Sequence, residues 1–258
     1  MIQPVSSSRV NKPKVEVYET CGDMGEAAAT AAAKQVRALA RQHSEVAVIF
    51  ATGESQLATL RALTAMPDIP WKQVVGFHMD EYLGITNSHR ASFRRYLREN
   101  LVSRVPMKQF YEIDGAMENA EATCQKYAEL LRSYEPQLCL LGIGENGHLA
   151  FNDPAEANFE DPVDVKIVSL DQVCRQQQVN ERWFETLDQV PRQAITLTIP
   201  ALLRAPELIL SVPGPRKARI VRRTLHEAIS PACPATILRT HPNVTLFLDK
   251  DSAAELSA

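Results

Sequence analysis

Several short segments of this chain gather residue types that carry chemistry, and each follows an apolar run. Residues 46–51 lead into Thr52, Gly53, Glu54 and Ser55, ahead of a helical pattern. A glycine and small hydroxyls opening a helix make an anion cradle, because first-turn amides have no intrahelical partner. Thr52 and Ser55 read equally well as plain N-caps, and the Glu54 carboxylate suits an anion only if it points away. Residues 74–79 lead to Asp80 and Glu81. Two carboxylates at the carboxyl end of a buried strand suit proton transfer, since burial and a like charge raise a pKa. The alternative is that one caps a turn and the other is solvated. Residues 138–143 lead into a loop whose glycines, Gly147 among them, allow close backbone approach to a ligand. His148 in that loop is a candidate acid/base, with Asp153 near enough in sequence to orient it. Finally, Lys217 falls in the first turn of a helix, against the dipole preference, which makes sense if an anion shares the site.

The elements that must position these groups alternate short apolar runs with longer amphipathic stretches. Strands are predicted over 15–20, 46–51, 74–79, 138–143, 165–170, 195–199, 207–212 and 244–248. Helices are predicted over about 25–42, 55–66, 89–102, 119–134, 172–187, 200–204 and 215–228. The run VAVIFA has the pattern of a strand buried on both faces. This alternation implies a Rossmann-like, doubly wound α/β fold, a mostly parallel sheet with helices on both faces. Ligands of such sheets bind beyond the carboxyl ends of the strands, where all the segments above fall. No repeat, low-complexity tract or interdomain linker interrupts the pattern. Residues 1–258 are therefore expected to form one domain, with 155–162 acidic and irregular and about 155–190 a mobile lid.

Composition excludes several classes. The 258 residues are 45% hydrophobic, too apolar for a disordered chain. With 28 Lys+Arg against 31 Asp+Glu and a net charge of −3, the chain lacks the positive field of a general nucleic-acid binder. Arg219, Arg222 and Arg223 have no interleaved aromatics and read as a solvated helix face. No apolar run approaches the roughly 20 residues that span a bilayer, and the N-terminus lacks a signal-peptide pattern. The 5 Cys are scattered singly in odd number, outside every motif, which argues for reduced thiols and a cytoplasmic setting.

The segments ATGESQ, GFHMDEYLG, GIGENGHLAFNDP and PGPRKA stand in the order and spacing of glucosamine-6-phosphate deaminases, the isomerase/deaminase family related to 6-phosphogluconolactonase. The chain resembles that family from about residue 25 to 255. Lactonases have a similar glycine-rich loop before their His, but the AFNDP continuation resembles the deaminase branch. The resemblance implies conversion of a hexosamine 6-phosphate to a ketose phosphate and ammonia, without metal or organic cofactor. It implies a small-molecule sugar phosphate as the only class of partner, with no nucleic acid or membrane, and leaves a homo-oligomer open. Asp80 would carry the proton between carbons 2 and 1, and His148 with a carboxylate would open the ring. The family pattern also marks departures. Asn146 stands where the relay often has Asp, Asp153 where it has Glu, and Glu54 and Gln56 where many members have Gly and Pro. A phosphate-contacting Arg is expected within CRQQQVNERWF, where a gap-free match gives Gln177 and the nearby candidate is Arg175. Glu156, Glu160, Asp161 and Asp164 speak against an anionic allosteric activator beyond the loop.

The expected site is thus Asp80, His148, Asp153 and Asn146 for catalysis, with Thr52, Gly53, Glu54, Ser55, Glu81, Gly147, Arg175 and Lys217 for substrate and phosphate. Galactosamine 6-phosphate is an alternative substrate, a sugar-phosphate lactonase an alternative enzyme, and a sugar-phosphate sensor an alternative class. Against the sensor, fewer than about 25 residues precede the matched region, too few for a helix-turn-helix domain, and the Asp80/His148 pair is present.

Overall fold

The computed structural model describes residues 2–256. The chain opens with a hairpin of β1 (Ser6–Arg9) and β2 (Lys14–Tyr18), followed by α1 (Cys21–Ala40). Thr20 caps α1 by accepting the Asp23 amide at 3.1 Å, one of the donors a helix start leaves unpaired. Next come β3 (Val46–Phe50), α2 (Glu54–Ala65), β4 (Val74–His78) and β5 (Asp80–Tyr82). The middle of the chain forms α3 (Phe93–Asn100), β6 (Gln109–Tyr111), α4 (Ala120–Tyr134) and β7 (Leu138–Leu141). Then follow β8 (Val165–Ser169), α5 (Gln172–Asn180), β9 (Gln193–Leu197) and α6 (Ile199–Leu203). The last elements are β10 (Glu207–Val212), α7 (Ala218–His226) and β11 (Val244–Asp249).

The main sheet has the order β1-β2-β11-β10-β7-β3-β4-β6, and every pair but the β1–β2 hairpin is parallel. Its inner strand β3 is buried throughout because both faces are covered. On one face Phe50, Met24 and Leu60 join strand, α1 and α2; on the other, Ile49 shares a cluster with Leu131 of α4 and Ile220 of α7. The small residues of α1 permit close helix packing: a Cβ at Gly25 would lie 2.5 Å from Ala58 Cβ of α2. From β3 the chain moves outward to β4 and β6; from β7 it moves the other way, to β10 and β11. The carboxyl ends of β10, β7, β3 and β4 therefore stand side by side at the reversal, the place such folds reserve for a ligand.

The doubly wound, mostly parallel sheet expected from the sequence is the one observed, with a correction. The apolar runs over 165–170 and 195–199 do not extend the main sheet. They form β8 and β9 of a second, antiparallel sheet of order β5-β9-β8. An apolar run states that a strand is buried but not which sheet buries it. The helix expected over 172–187 stops at Asn180, and β1, β5 and β6, all short, escaped the periodicity argument. Tyr82, Phe93, Phe151 and Phe184 fill the core beneath the small sheet. Met79 alone separates β4 of the large sheet from β5 of the small one, and its carbonyl accepts the Leu197 amide at 2.8 Å. The preceding His78 is locked in place. The Tyr127 hydroxyl accepts its amide at 3.0 Å and donates to its carbonyl at 2.8 Å. Its Nε2 accepts the Ile113 amide at 2.6 Å, and burial followed by the Arg94 charge pushes its pKa down to about 3. Among the described residues no helix is long and apolar enough to cross a membrane.

Candidate active site

A cavity of about 460 Å³ opens beyond the aligned strand ends, and Thr52, Asp80, Gly144, His148, Gly214 and Lys217 line it. Asp80 and Glu81 occupy consecutive positions of β5, so their side chains leave opposite faces. Asp80 reaches the cavity. It is 6% exposed, and its Oδ1 has no hydrogen-bond partner. Burial first, and the Glu81 charge second, hold its pKa well above the usual carboxylate range. Glu81 is not in the cavity wall, which corrects its expected role in substrate binding. Its carboxylate accepts from Ser92 Oγ at 2.8 Å, the Phe93 and Arg94 amides at 3.1 Å and Arg94 Nε at 3.2 Å, anchoring the start of α3.

The glycine-rich loop after β7 builds the second group. His148 Nδ1 lies 2.8 Å from Asp153 Oδ1. The imidazole rests on Gly144, where a Cβ would fall 2.1 Å from Nε2, so only glycine leaves room for the ring. Asn146, expected among the catalytic groups, stands behind this pair rather than in the cavity wall. Its Nδ2 donates to Asp153 Oδ1 at 2.9 Å and Asp171 Oδ2 at 3.1 Å, and its Oδ1 accepts the His148 amide at 3.0 Å. Burial pushes the Asp153 carboxyl up, but the His148, Asn146 and Asp171 donors outweigh it and hold the pKa below the ordinary value. Gly147 is also corrected. It has φ 92° and packs on Cys233, giving the loop its turn without lining the cavity.

The residues expected to hold a phosphate form the third group. Gly53 is the N-cap residue of α2 with φ 95° and no side-chain cap, so neither Thr52 nor Ser55 serves as the cap. Thr52, Gly53, Glu54 and Ser55 all line the cavity, with the first-turn amides of α2 behind them. The Glu54 side chain is 55% exposed and lies 3.9 Å from Arg216. Lys217 is 8% exposed and has no ion pair among the described residues. Burial lowers its pKa, and the charges of Glu181 and Glu145 act in the opposite direction.

Arg175 does not reach this site. Its guanidinium donates to the Leu187 and Val190 carbonyls at 2.5 and 3.2 Å, tying down the segment after α5. Gln177 does line the cavity, with Oε1 accepting the Glu145 amide at 3.2 Å and Nε2 donating to Glu181 at 2.8 Å. The arginine in the cavity wall is Arg216, which also lies 3.4 Å from Glu145. Its signal was its place beside Lys217 in the segment PGPRKA. Asp171 was legible too, as an Asp heading a helical run.

The ligand atoms of His148, Asp153 and Cys174 lie within 4.8 Å of one another. A cation there would have to displace the His148–Asp153 hydrogen bond and the Cys174 proton. Burial first, then the Asp153 and Asp171 charges, push that thiol's pKa well above its usual value, which disfavours the thiolate that a metal needs.

Residues 19–247 match the family described as glucosamine-6-phosphate isomerases/6-phosphogluconolactonase. A glucosamine-6-phosphate deaminase of Geobacillus sp. (strain WCH70) is 36% identical over 209 residues, covering 79% of this chain and 81% of that protein. One of Bacillus thuringiensis (strain Al Hakam) is 36% identical over 203 residues, 79% of this chain and 75% of that protein. Among solved structures, a monomeric glucosamine-6-phosphate deaminase matches with a TM-score of 0.85 at 26% identity, over 93% of this chain and 99% of that one. The 6-phosphogluconolactonase of Trypanosoma brucei matches with a TM-score of 0.78 at 21% identity, over 95% and 99% of the two chains. That second likeness is one of fold.

Proposed function

The chain belongs to the glucosamine-6-phosphate isomerase/6-phosphogluconolactonase family, and on that premise we propose that it is an enzyme that deaminates and isomerises a hexosamine 6-phosphate. Glucosamine 6-phosphate and water give fructose 6-phosphate and ammonia. The observation that carries this reading is the content of one cavity: a buried carboxylate with an unpartnered oxygen, a tethered imidazole and a buried ammonium.

The phosphate fits against the first-turn amides of α2, with Lys217 and Arg216 supplying charge. His148, its Nδ1 held by Asp153, moves the proton between the ring oxygen and the hydroxyl on carbon 1 through Nε2 as the pyranose opens. Asp80 then takes the proton from carbon 2 and returns it to carbon 1. The electron pair released at carbon 2 passes through the enol, leaving carbon 2 as an imine. Water adds there, and ammonia departs with a proton. A carboxylate whose pKa is raised is a stronger base once ionised, which suits abstraction from carbon. Holding the phosphate fixes the reacting carbons over Asp80, and such positioning lowers a barrier by removing the entropy cost of encounter.

Glu181, Gln177 and Gln178 come to the cavity from the 155–190 segment, which supports that segment closing over the substrate. The groups used span the chain from Thr52 to Lys217, in keeping with a single catalytic domain. A doubly charged sugar phosphate is retained inside cells, so the reading puts the enzyme in the cytoplasm. The test is a panel of glucosamine 6-phosphate, galactosamine 6-phosphate and 6-phosphogluconolactone, with ammonia and ketose phosphate both measured. Ammonia and ketose phosphate in equal amounts from a hexosamine phosphate are expected; lactone turnover without ammonia would move the chain to the lactonase branch.

A further inference from the structure

Asp171 heads α5, and its carboxylate is divided between two tasks. Oδ1 accepts the Cys174 amide at 2.6 Å as a helix cap, and Oδ2 accepts Asn146 Nδ2 at 3.1 Å. Its own amide donates to Asp153 Oδ2 at 3.2 Å. The Asn146 side chain can lie only one way round. Reversing it would turn its oxygen toward two carboxylates and its NH₂ toward the His148 amide, exchanging every hydrogen bond for a repulsion. Asp153 Oδ1 thereby receives the second Asn146 hydrogen and faces His148 Nδ1. An ionised carboxylate only accepts, so Nδ1 carries a proton, and in the neutral ring Nε2 is the nitrogen with the lone pair.

We propose that Asp171 is a positioning residue for the His148–Asp153 relay, acting through Asn146 as a matched partner. One amide between two carboxylates stands where a third carboxylate would need a proton of its own. The assignment of ring opening to this relay rests on the function proposed above; the orientation of the imidazole does not. The charged and titratable groups around His148 come from several elements. Asp153 and Glu145 share its loop, Glu145 facing Arg216. Asp171, Cys174 and Glu181 come from α5 and its end, Asp80 from β5 with Tyr82 behind it, and Arg216 and Lys217 from the Gly214 turn.

The test is nitrogen NMR of the His148 imidazole in the unliganded protein across pH, alongside kcat and KM. The wild type should show the Nδ1–H tautomer. In Asp171→Asn, which retains a good N-cap, loss of one nearby negative charge should lower the His148 midpoint by about half a pH unit. The same variant should lower kcat by about tenfold at unchanged KM, the scale typical of groups that orient a reacting residue. The double variant Asn146→Asp/Asp171→Asn keeps the carboxylate count and should return the midpoint toward wild type. An unchanged midpoint and tautomer in Asp171→Asn, or a double variant that fails to return, would reduce Asp171 to a helix cap and overturn the proposal. If Asp171→Asn melts early, Asp171→Ser keeps a cap without a second acceptor and is judged by the same readouts. The expected imidazole behaviour in a protein that releases no ammonia would leave the positioning intact and remove the reaction assigned to it.

Discussion

Asp80 and Asp153 are both buried carboxylates serving one cavity, yet their surroundings are opposites. Asp80 Oδ1 has no donor, and burial with the Glu81 charge raises its pKa. Asp153 takes hydrogen bonds from Asn146, His148 and the Asp171 amide, which overcome its burial and lower its pKa. Environments that push two acids apart assign their roles. In the mechanism proposed above, the unpartnered carboxylate takes the proton from substrate, and the satisfied one stays charged to hold an imidazole. The rule fails one residue away, and instructively. Glu81 also has a raised pKa, but donors occupy its oxygens, and α3 rather than substrate receives them.

Asp80→Asn tests the comparison most severely. It should lower kcat by at least about 10³, toward the upper range for a general base, while sugar-phosphate binding survives. The same variant should be more stable than the wild type at neutral pH. A carboxyl whose folded pKa is raised contributes stability that is full below its unfolded pKa and lost as pH rises through the folded one. The difference in melting temperature should therefore open as pH rises. Asp153→Asn should cost about 10² in kcat and carry the opposite pH signature. A lowered folded pKa stabilises above the unfolded value, so the wild type's advantage should fade as pH falls through the folded pKa. Parallel pH behaviour of the two variants would break the comparison.

Lys217→Ala should raise KM by about tenfold with a smaller change in kcat, as expected for binding made equally in ground and transition state. An unchanged KM would show that the phosphate lies elsewhere. Glu54→Gln gives the smallest effect and the finest test of the cradle. Freed from a half-exposed ion pair worth under about 1 kcal/mol, Arg216 should lower KM by about threefold or less. A rise in KM would show instead that the Glu54 carboxylate binds substrate.

Strand ends were legible because β3, β4, β7 and β10 are short runs rich in apolar residues, and the sheet that buries them on both sides demands such runs. Asp80, His148, Asp153 and Lys217 were legible because each follows such a run within one loop. The errors lie where sequence neighbours part in space. Alternation along β5 sends Glu81 away from Asp80, a direction that no local motif records. Arg175 sits on α5 near Gln177 in sequence, but a helix turns each residue about 100° from the last, so one faces the cavity and the other a pair of carbonyls. Arg216 carries no sequence signal beyond its place beside Lys217. Asn146 stands in the sequence where the relay often has Asp; in three dimensions its amide donates to both Asp153 and the Asp171 side chain.

The single residue between the two sheets has a mechanical consequence. The proposed phosphate cradle is built on β3 and β10 of the large sheet, whereas Asp80 begins a strand of the small one, and Met79 is the one residue between β4 and β5 along the chain. On the proposed placement, a sugar phosphate gripped at one end by the large sheet and worked on at the other by the small one would be a strut across a joint. Ligand binding should stiffen that joint, and slower amide exchange in β5 and β9, far beyond the atoms the ligand touches, is how the stiffening would be read.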